Sequence, residues 1–196
     1  MKLFINIGCG PKSDFNPVPC FNMDGWREIR FDIDESVHPD VVGSMLDMEA
    51  VENESVDAVF SSHNIEHLYA HEVSIALKEF IRVLKPNGFL IVTCPDLQSV
   101  CALIADNKLT DMAYMSPIGP ITPLDILYGH GESLRQGNSF MAHRCGFTKD
   151  VLTNALQNAG FTSSLVFARP DQFDLWGIAS KKGLTQEELL NCLMGK

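Results

Sequence analysis

Three short stretches of this 196-residue sequence hold residue types that do chemistry. Gly8-Cys9-Gly10 follows the apolar run Leu3 to Ile7. Two glycines one residue apart let a backbone turn sharply, and a ligand can approach where a Cβ would stand. Asp32 follows at the end of an alternating stretch, where a carboxylate can accept two hydrogen bonds from the ribose hydroxyls of an adenosine cofactor. Ile33 is its neighbour and a further candidate cofactor contact, while Asp34 and Glu35 read as solvated. Asp47-Met48 is the third stretch. An Asp there can accept from an adenine amino group, and the next backbone N–H can meet a ring nitrogen. The full dinucleotide fingerprint needs a third glycine, but Ser13 stands in its place and Pro11 intervenes, which argues against NAD.

The histidines form a second set. His63-Asn64-Ile65-Glu66-His67 spells H-x-x-E-H. With His71, three histidines at i, i+4 and i+8 would line one face of a single helix and could hold zinc. The stretch begins at the end of an apolar run, where a turn is expected instead, so no metal ligand is assigned.

The elements that must position these residues can be read from periodicity. Leu3–Ile7, Glu28–Asp32, Val41–Val42, Asp57–Ser61 and Phe89–Thr93 read as strands. Val73, Ala76, Leu77, Phe80, Ile81 and Leu84 make one apolar stripe of a helix that Pro86-Asn87-Gly88 stops. Residues 97–105 read as a helix and 12–27 as a loop. Thr148 caps a helix that Gly160 ends. Two strands follow, at about 162–168 and 173–180, then a helix announced by a Thr185/Glu188 capping box and a Leu184/Leu189 staple. Strands alternating with helices predict one α/β domain: a seven-stranded, mostly parallel sheet with an antiparallel last strand and helices on both faces. Ligands in such sheets bind beyond the carboxyl ends of the strands, where Gly8 sits. Residues 106–147 show no regular period. They hold Pro117, Pro120 and Pro123 among several glycines, and read as an apolar lid over the ligand crevice.

Composition narrows the classes. The formal net charge is −10, and eleven acids against Arg27 and Arg30 fall between Asp24 and Asp57. Nucleic-acid binding runs on Lys and Arg density, so this balance argues against it. None of the six cysteines forms a C-x-x-C pair, as expected of reduced thiols in a cytoplasmic protein. No apolar run approaches the ~18 residues of a membrane span, and no signal segment is evident at the start.

The ordered set of motifs resembles the class I S-adenosylmethionine-dependent methyltransferases, of Rossmann-like fold. It runs from Leu3-Phe4-Ile5-Asn6-Ile7-Gly8-Cys9-Gly10 through Phe31-Asp32-Ile33-Asp34, Asp47-Met48 and Ser55–His63. It continues in Ile65-Glu66-His67-Leu68, Arg82–Val92 and Asn158-Ala159-Gly160-Phe161. The resemblance implies S-adenosylmethionine as cofactor and S-adenosylhomocysteine as product. It places Gly8, Cys9 and Gly10 under the methionine part, Asp32 on the ribose, Asp47 and Met48 at the adenine, and Ser62 and His63 at the methyl pocket. Two departures stand out: Asn6 replaces a common acid, and the 12–27 loop replaces the usual helix. The implied activity is methyl transfer to a small molecule. An oxygen acceptor is preferred because the candidate bases, His63 and His143, are histidines. Tyr128, His130, His143 and Arg144 are the candidate acceptor-binding residues of the lid. Cys94-Pro95-Asp96 inverts the Pro-Cys of cytosine methyltransferases, and no Asn/Asp-Pro-Pro-aromatic run follows the fourth strand, which weighs against nucleic-acid bases. The alternatives are a cofactor-binding module without catalysis and a zinc hydrolase built on His63, Glu66 and His67.

Overall fold

The computed structural model describes residues 1–13 and 16–195. The strands in chain order are β1 (Lys2–Ile7), β2 (Trp26–Asp32), β3 (Val41–Val42), β4 (Val56–Ser62), β5 (Leu84–Pro95), β6 (Tyr114–Ser116), β7 (Gly119–Ile121), β8 (Ser163–Arg169) and β9 (Asp174–Ser180). Seven of them make one sheet in the order β3-β2-β1-β4-β5-β9-β8, and β6 pairs only with β7. β9 is antiparallel to both neighbours, while β3, β2, β1, β4 and β5 are mutually parallel. The expected sheet is the observed one. Its parallel strands and β8 end at one edge, and antiparallel β9 starts there.

Side chains alternate across the sheet with the strand period of two. Ile5, Ile7, Val59, Leu90 and Val92 face one layer, in which Val73, Ala76, Leu77 and Phe80 of α1 (Val73–Val83) and Leu152 and Leu156 of α5 (Lys149–Ala159) are buried. Phe4, Ala58, Phe60, Phe89 and Ile91 face the other, together with Leu189 of α6 (Gln186–Met194). The predicted caps are present. Thr148 accepts from Val151 N, Gly160 closes α5 at φ 112°, and Thr185 and Glu188 bond reciprocally at 2.8 and 3.2 Å.

On the second face the described residues between β1 and β2 form no α-helix and pack aromatic side chains instead. A 3-10 turn over Pro19–Asn22 buries Phe21, which stacks on Phe4 at 4.0 Å and meets Trp26 edge-on at 5.1 Å. Fully burying such a side chain contributes about 1.5–3 kcal/mol, which offsets part of the entropy of ordering this segment.

Three expectations change. β2 starts at Trp26, not Glu28, because Trp26 joins that aromatic cluster. α1 runs straight into β5 at Leu84, so Pro86-Asn87-Gly88 forms an irregularity inside the strand; the β4 register shifts there, from Val56↔Leu84 to Ala58↔Phe89. The 106–147 segment, read as irregular, is built of short elements. After α2 (Leu97–Ala105) come the β6–β7 hairpin, α3 (Pro123–Tyr128), α4 (Gly131–Arg135) and a 3-10 turn over Ser139–Met141. Ile121 and Ile126 pack with Val100 of α2 in a small core that Phe173 flanks. Each element is shorter than two helical turns, so no period shows in the sequence.

Candidate functional site

The carboxyl edge of the sheet brings the expected residues together. Gly8 and Gly10 both have left-handed backbones, at φ 63° and 58°. Gly8 needs to be glycine twice over, since a Cβ there would fall 1.9 Å from Asn64 Oδ1. Asn64 fills that space and donates from Nδ2 to the carbonyls of Ile7 and Ser62, at 2.8 and 2.9 Å, tying the ends of β1 and β4 together. Around Gly10 the space is open, with nothing within 4 Å of an added Cβ.

Asp32 joins the loop to β2. Its Oδ2 accepts from Gly10 N at 2.9 Å and its Oδ1 from Asp34 N at 2.9 Å, which leaves each oxygen one further lone pair. Arg30, two residues earlier on the same strand face, donates to the carbonyls of Gly10, Val37 and His38. Sequence reasoning passed over Arg30, although the strand period places it beside Asp32. Ile33 is 48% exposed, an apolar side chain left uncovered beside that carboxylate. Asn6 donates to Glu28 Oε1 at 2.7 Å, so the acid usual on β1 is supplied from β2. Burial pushes the Cys9 thiol up to about 11, which keeps it protonated at neutral pH.

The other half of the edge is built around His63. The H-x-x-E-H stretch is not a helix. His63 has φ 53°, and Ile65–His67 forms a 3-10 turn, so His63, His67 and His71 do not line one helical face. His63 Nδ1 lies 3.4 Å from Glu66 Oε1 and its Nε2 lies 3.7 Å from Asp174 Oδ2. Asp174 reaches this edge because β9 runs antiparallel and begins here. Burial alone would lower the His63 pKa, but the Asp174 and Glu66 carboxylates reverse this and push it up to about 9. The two carboxylates favour the protonated ring, in which His63 carries charge, whereas its expected role as general base rests on the neutral form. Asp174 is in turn held by Arg169, whose Nε donates to Oδ1 at 2.9 Å. Ser62 Oγ bonds Thr93 Oγ1 at 2.9 Å, bridging β4 and β5 beside His63.

The 106–147 segment lies along this half. His143 N donates to the Tyr128 carbonyl at 3.1 Å, a backbone contact, while the Tyr128 side chain is exposed. Arg144 N and Cys145 N both donate to the Glu66 carbonyl, at 2.8 and 3.2 Å, which fastens the segment's end to the turn after β4. The Arg144 guanidinium lies over the Tyr69 ring at 5.0 Å. His130 is used structurally. It is the N-cap of α4, with Nδ1 2.8 Å from Ser133 Oγ. A cavity of about 660 Å³ at the opposite end of the sheet, lined by Lys2, Trp26 and Glu188 among others, includes none of the candidate residues.

Residues 5–92 match the family model described as a methyltransferase domain. That stretch of the chain is similar to a methyltransferase domain, and the sheet order is that of the Rossmann-like methyltransferase fold. No curated protein matches the sequence. Solved structures share the fold. An S-adenosylmethionine-dependent methyltransferase of Thermotoga maritima is 18% identical with a TM-score of 0.58, and the match covers 91% of this chain and 82% of that one. One of Archaeoglobus fulgidus is 15% identical with a TM-score of 0.57, covering 91% and 85%. A Pyrococcus horikoshii protein is 17% identical with a TM-score of 0.58, covering 92% and 82%.

The cofactor of a methyltransferase domain of this class is S-adenosylmethionine, with S-adenosylhomocysteine as product. The donor set around Gly10 fits it: an open glycine, a carboxylate with spare lone pairs, and an uncovered isoleucine. Asp47 is exposed and accessible to an amino group. Met48 fits less well. Its side chain is sealed in the core, and its N–H donates to Glu79 Oε2 at 2.9 Å, so the donor expected to meet an adenine nitrogen already has a partner. Arg82 holds Glu79 and also donates to the Met48 carbonyl at 2.9 Å, a clamp no local motif announces.

Proposed function

We propose that the chain transfers a methyl group from S-adenosylmethionine to a small-molecule acceptor lying between the Ser62–His63 edge and the 106–147 segment. The observation that carries this reading is the bond from Gly10 N–H to Asp32 Oδ2, which joins an open glycine loop to a carboxylate free to accept from ribose hydroxyls. Bound S-adenosylmethionine supplies a sulfonium methyl already activated by charge. What remains for the protein is alignment and the exclusion of water. Gly8, Cys9 and Gly10 carry the methionine part, Asp32 the ribose, Ile33 and Asp47 the adenine, and Ser62 and His63 the rim of the methyl pocket. Tyr128, His143 and Arg144 face the acceptor, and Arg144 keeps N–H edges for an anionic group while stacked on Tyr69. Oxygen is the preferred acceptor atom. His143 Nδ1 lies 2.8 Å from the Ile126 carbonyl, which fixes the ring with its lone pair on Nε2.

The test is a melting curve. S-adenosylhomocysteine at 100 times its Kd raises stability by about 2.7 kcal/mol, and NAD leaves the curve in place. No shift at millimolar S-adenosylhomocysteine refutes the reading. For the insert, Tyr128→Phe and Arg144→Ala are expected to keep S-adenosylhomocysteine affinity near wild type by calorimetry and to lose transfer across an acceptor panel. Binding without transfer to any acceptor leaves a cofactor-binding module.

A further inference from the structure

Glu66 occupies a position the fold alone does not explain. It is 1% exposed, and neither Oε1 nor Oε2 has a hydrogen-bond partner. A buried carboxylate in that condition is costly unless something else compensates it. His63 offers charge at 3.4 Å but no hydrogen bond. On the other side stand two imidazoles. His67 is the next residue in the turn, and His143 is delivered by the end of the 106–147 segment. One ligand atom from each of Glu66, His67 and His143 lies within 4.8 Å of the other two.

The two imidazoles are held alike. Nδ1 of His67 lies 3.1 Å from the Ala142 carbonyl, and Nδ1 of His143 lies 2.8 Å from the Ile126 carbonyl. A carbonyl only accepts, so each Nδ1 carries the proton and each lone pair is on Nε2. Metal-binding histidines are oriented in this way, with the second nitrogen donating to a carbonyl or carboxylate. The rings meet edge to face with centroids 4.9 Å apart.

We propose that Glu66, His67 and His143 form a binding site for a transition-metal dication, which fastens the 106–147 segment to the turn after β4. Two imidazole nitrogens and one carboxylate oxygen suit zinc, manganese(II) or iron(II) and disfavour magnesium and calcium, which take oxygen ligands. Donors at about 2.1 Å from zinc stand roughly 3.4 Å apart in a tetrahedron, so rotations that move the donors by about an ångström close the site. Three protein ligands leave a fourth position open. This ligand set is not the H-x-x-E-H set, because His63 is turned to Asp174 and the second imidazole comes from the far end of the insert. A loaded site uses the His143 lone pair, so His143 is then a ligand and not a proton acceptor. The site does not depend on the methyl-transfer reading, and it is tested without cofactor.

Chelator-stripped protein is titrated with zinc chloride, and then with manganese(II) and iron(II), by calorimetry. The wild type is expected to bind one equivalent. Losing an outer-shell partner of a metal ligand costs about 10–100-fold, so losing a ligand, in His143→Ala or Glu66→Gln, lowers affinity by more than about 100-fold. His71→Ala, at an exposed histidine outside the cluster, binds as wild type. Melting curves confirm folding, and His143, only half-buried, decides alone if Glu66→Gln does not fold. Zinc is also expected to slow proteolysis within 106–147 in wild type and not in His143→Ala. Absence of binding by all three metals, or equal binding by His143→Ala, overturns the site. Binding that leaves cleavage unchanged overturns the fastening.

Discussion

The two halves of the sheet's carboxyl edge are finished differently. In the glycine half the polar groups named above have partners inside the protein. Gly10 N and Asp34 N bond Asp32, Asn64 bonds the Ile7 and Ser62 carbonyls, and Arg30 bonds the Gly10, Val37 and His38 carbonyls. In the glutamate half a fully buried carboxylate has no hydrogen bond on either oxygen. The first half is shaped before any ligand arrives. The second has His63 beside its carboxylate but keeps hydrogen-bonding capacity that is not filled. Preorganisation and unsatisfied capacity are thus separated by the width of one strand, β4.

Gly8→Ala strains this contrast most. It combines a left-handed backbone, worth about 1–2 kcal/mol, with displacement of Asn64 and its two hydrogen bonds, about 1 kcal/mol each. We expect a loss of about 3–4 kcal/mol in urea unfolding. Gly10→Ala meets open space and should lose only the backbone cost, about 1–2 kcal/mol. Equal losses would show that the Asn64 clamp does not shape the loop. Next comes Asp32→Ala, expected to weaken S-adenosylhomocysteine binding by about 2–4 kcal/mol, or roughly 30- to 1000-fold in Kd. Asp34→Ala should bind as wild type, since that carboxylate is engaged with Ser36 in the following turn. The reverse result in calorimetry would move the ribose partner two residues along the chain. The smallest effect belongs to the other half. With chelator present, Glu66→Gln should change unfolding stability by less than about 1 kcal/mol, because the desolvation of the buried carboxylate offsets the gain from its ion pair with the half-exposed His63. A loss of several kcal/mol would mean that the His63 ion pair already satisfies the carboxylate.

The same division governs what was legible in the sequence. Gly8, Gly10 and Asp32 could be read because each sits at the end of an apolar strand, where spacing in the chain maps onto position at the edge. The sheet order and the caps at Thr148, Gly160 and Thr185 followed from equally local signals. Met48 misled, because the partner of its N–H, Glu79, lies on a helix and is placed there by packing. Glu66 was visible as part of a local pattern, but its neighbours were not. His143 approaches through a 42-residue excursion, and Asp174 through a strand whose antiparallel sense decides which end faces the site. The 106–147 segment was opaque for a related reason. Its elements are held by contacts with Val100 and Phe173, outside the segment itself.

The glycine loop also has an electrostatic character. Between β1 and β2 the described residues contain no α-helix, only the 3-10 turn over Pro19–Asn22. Loops that hold a pyrophosphate lead into a helix, whose first free N–H groups and positive dipole end meet the phosphate charge. Here Gly8 N and Cys9 N donate to the Phe31 carbonyl, Gly10 N donates to Asp32, and no dipole backs them. The Arg30 guanidinium and, after it, the Asp32 and Glu28 carboxylates are close enough to act on the Cys9 thiol. An anion arriving here finds the N–H groups of Gly8, Cys9 and Gly10 already engaged. The turn therefore offers a polyphosphate neither a helix end nor a free N–H from Gly8, Cys9 or Gly10.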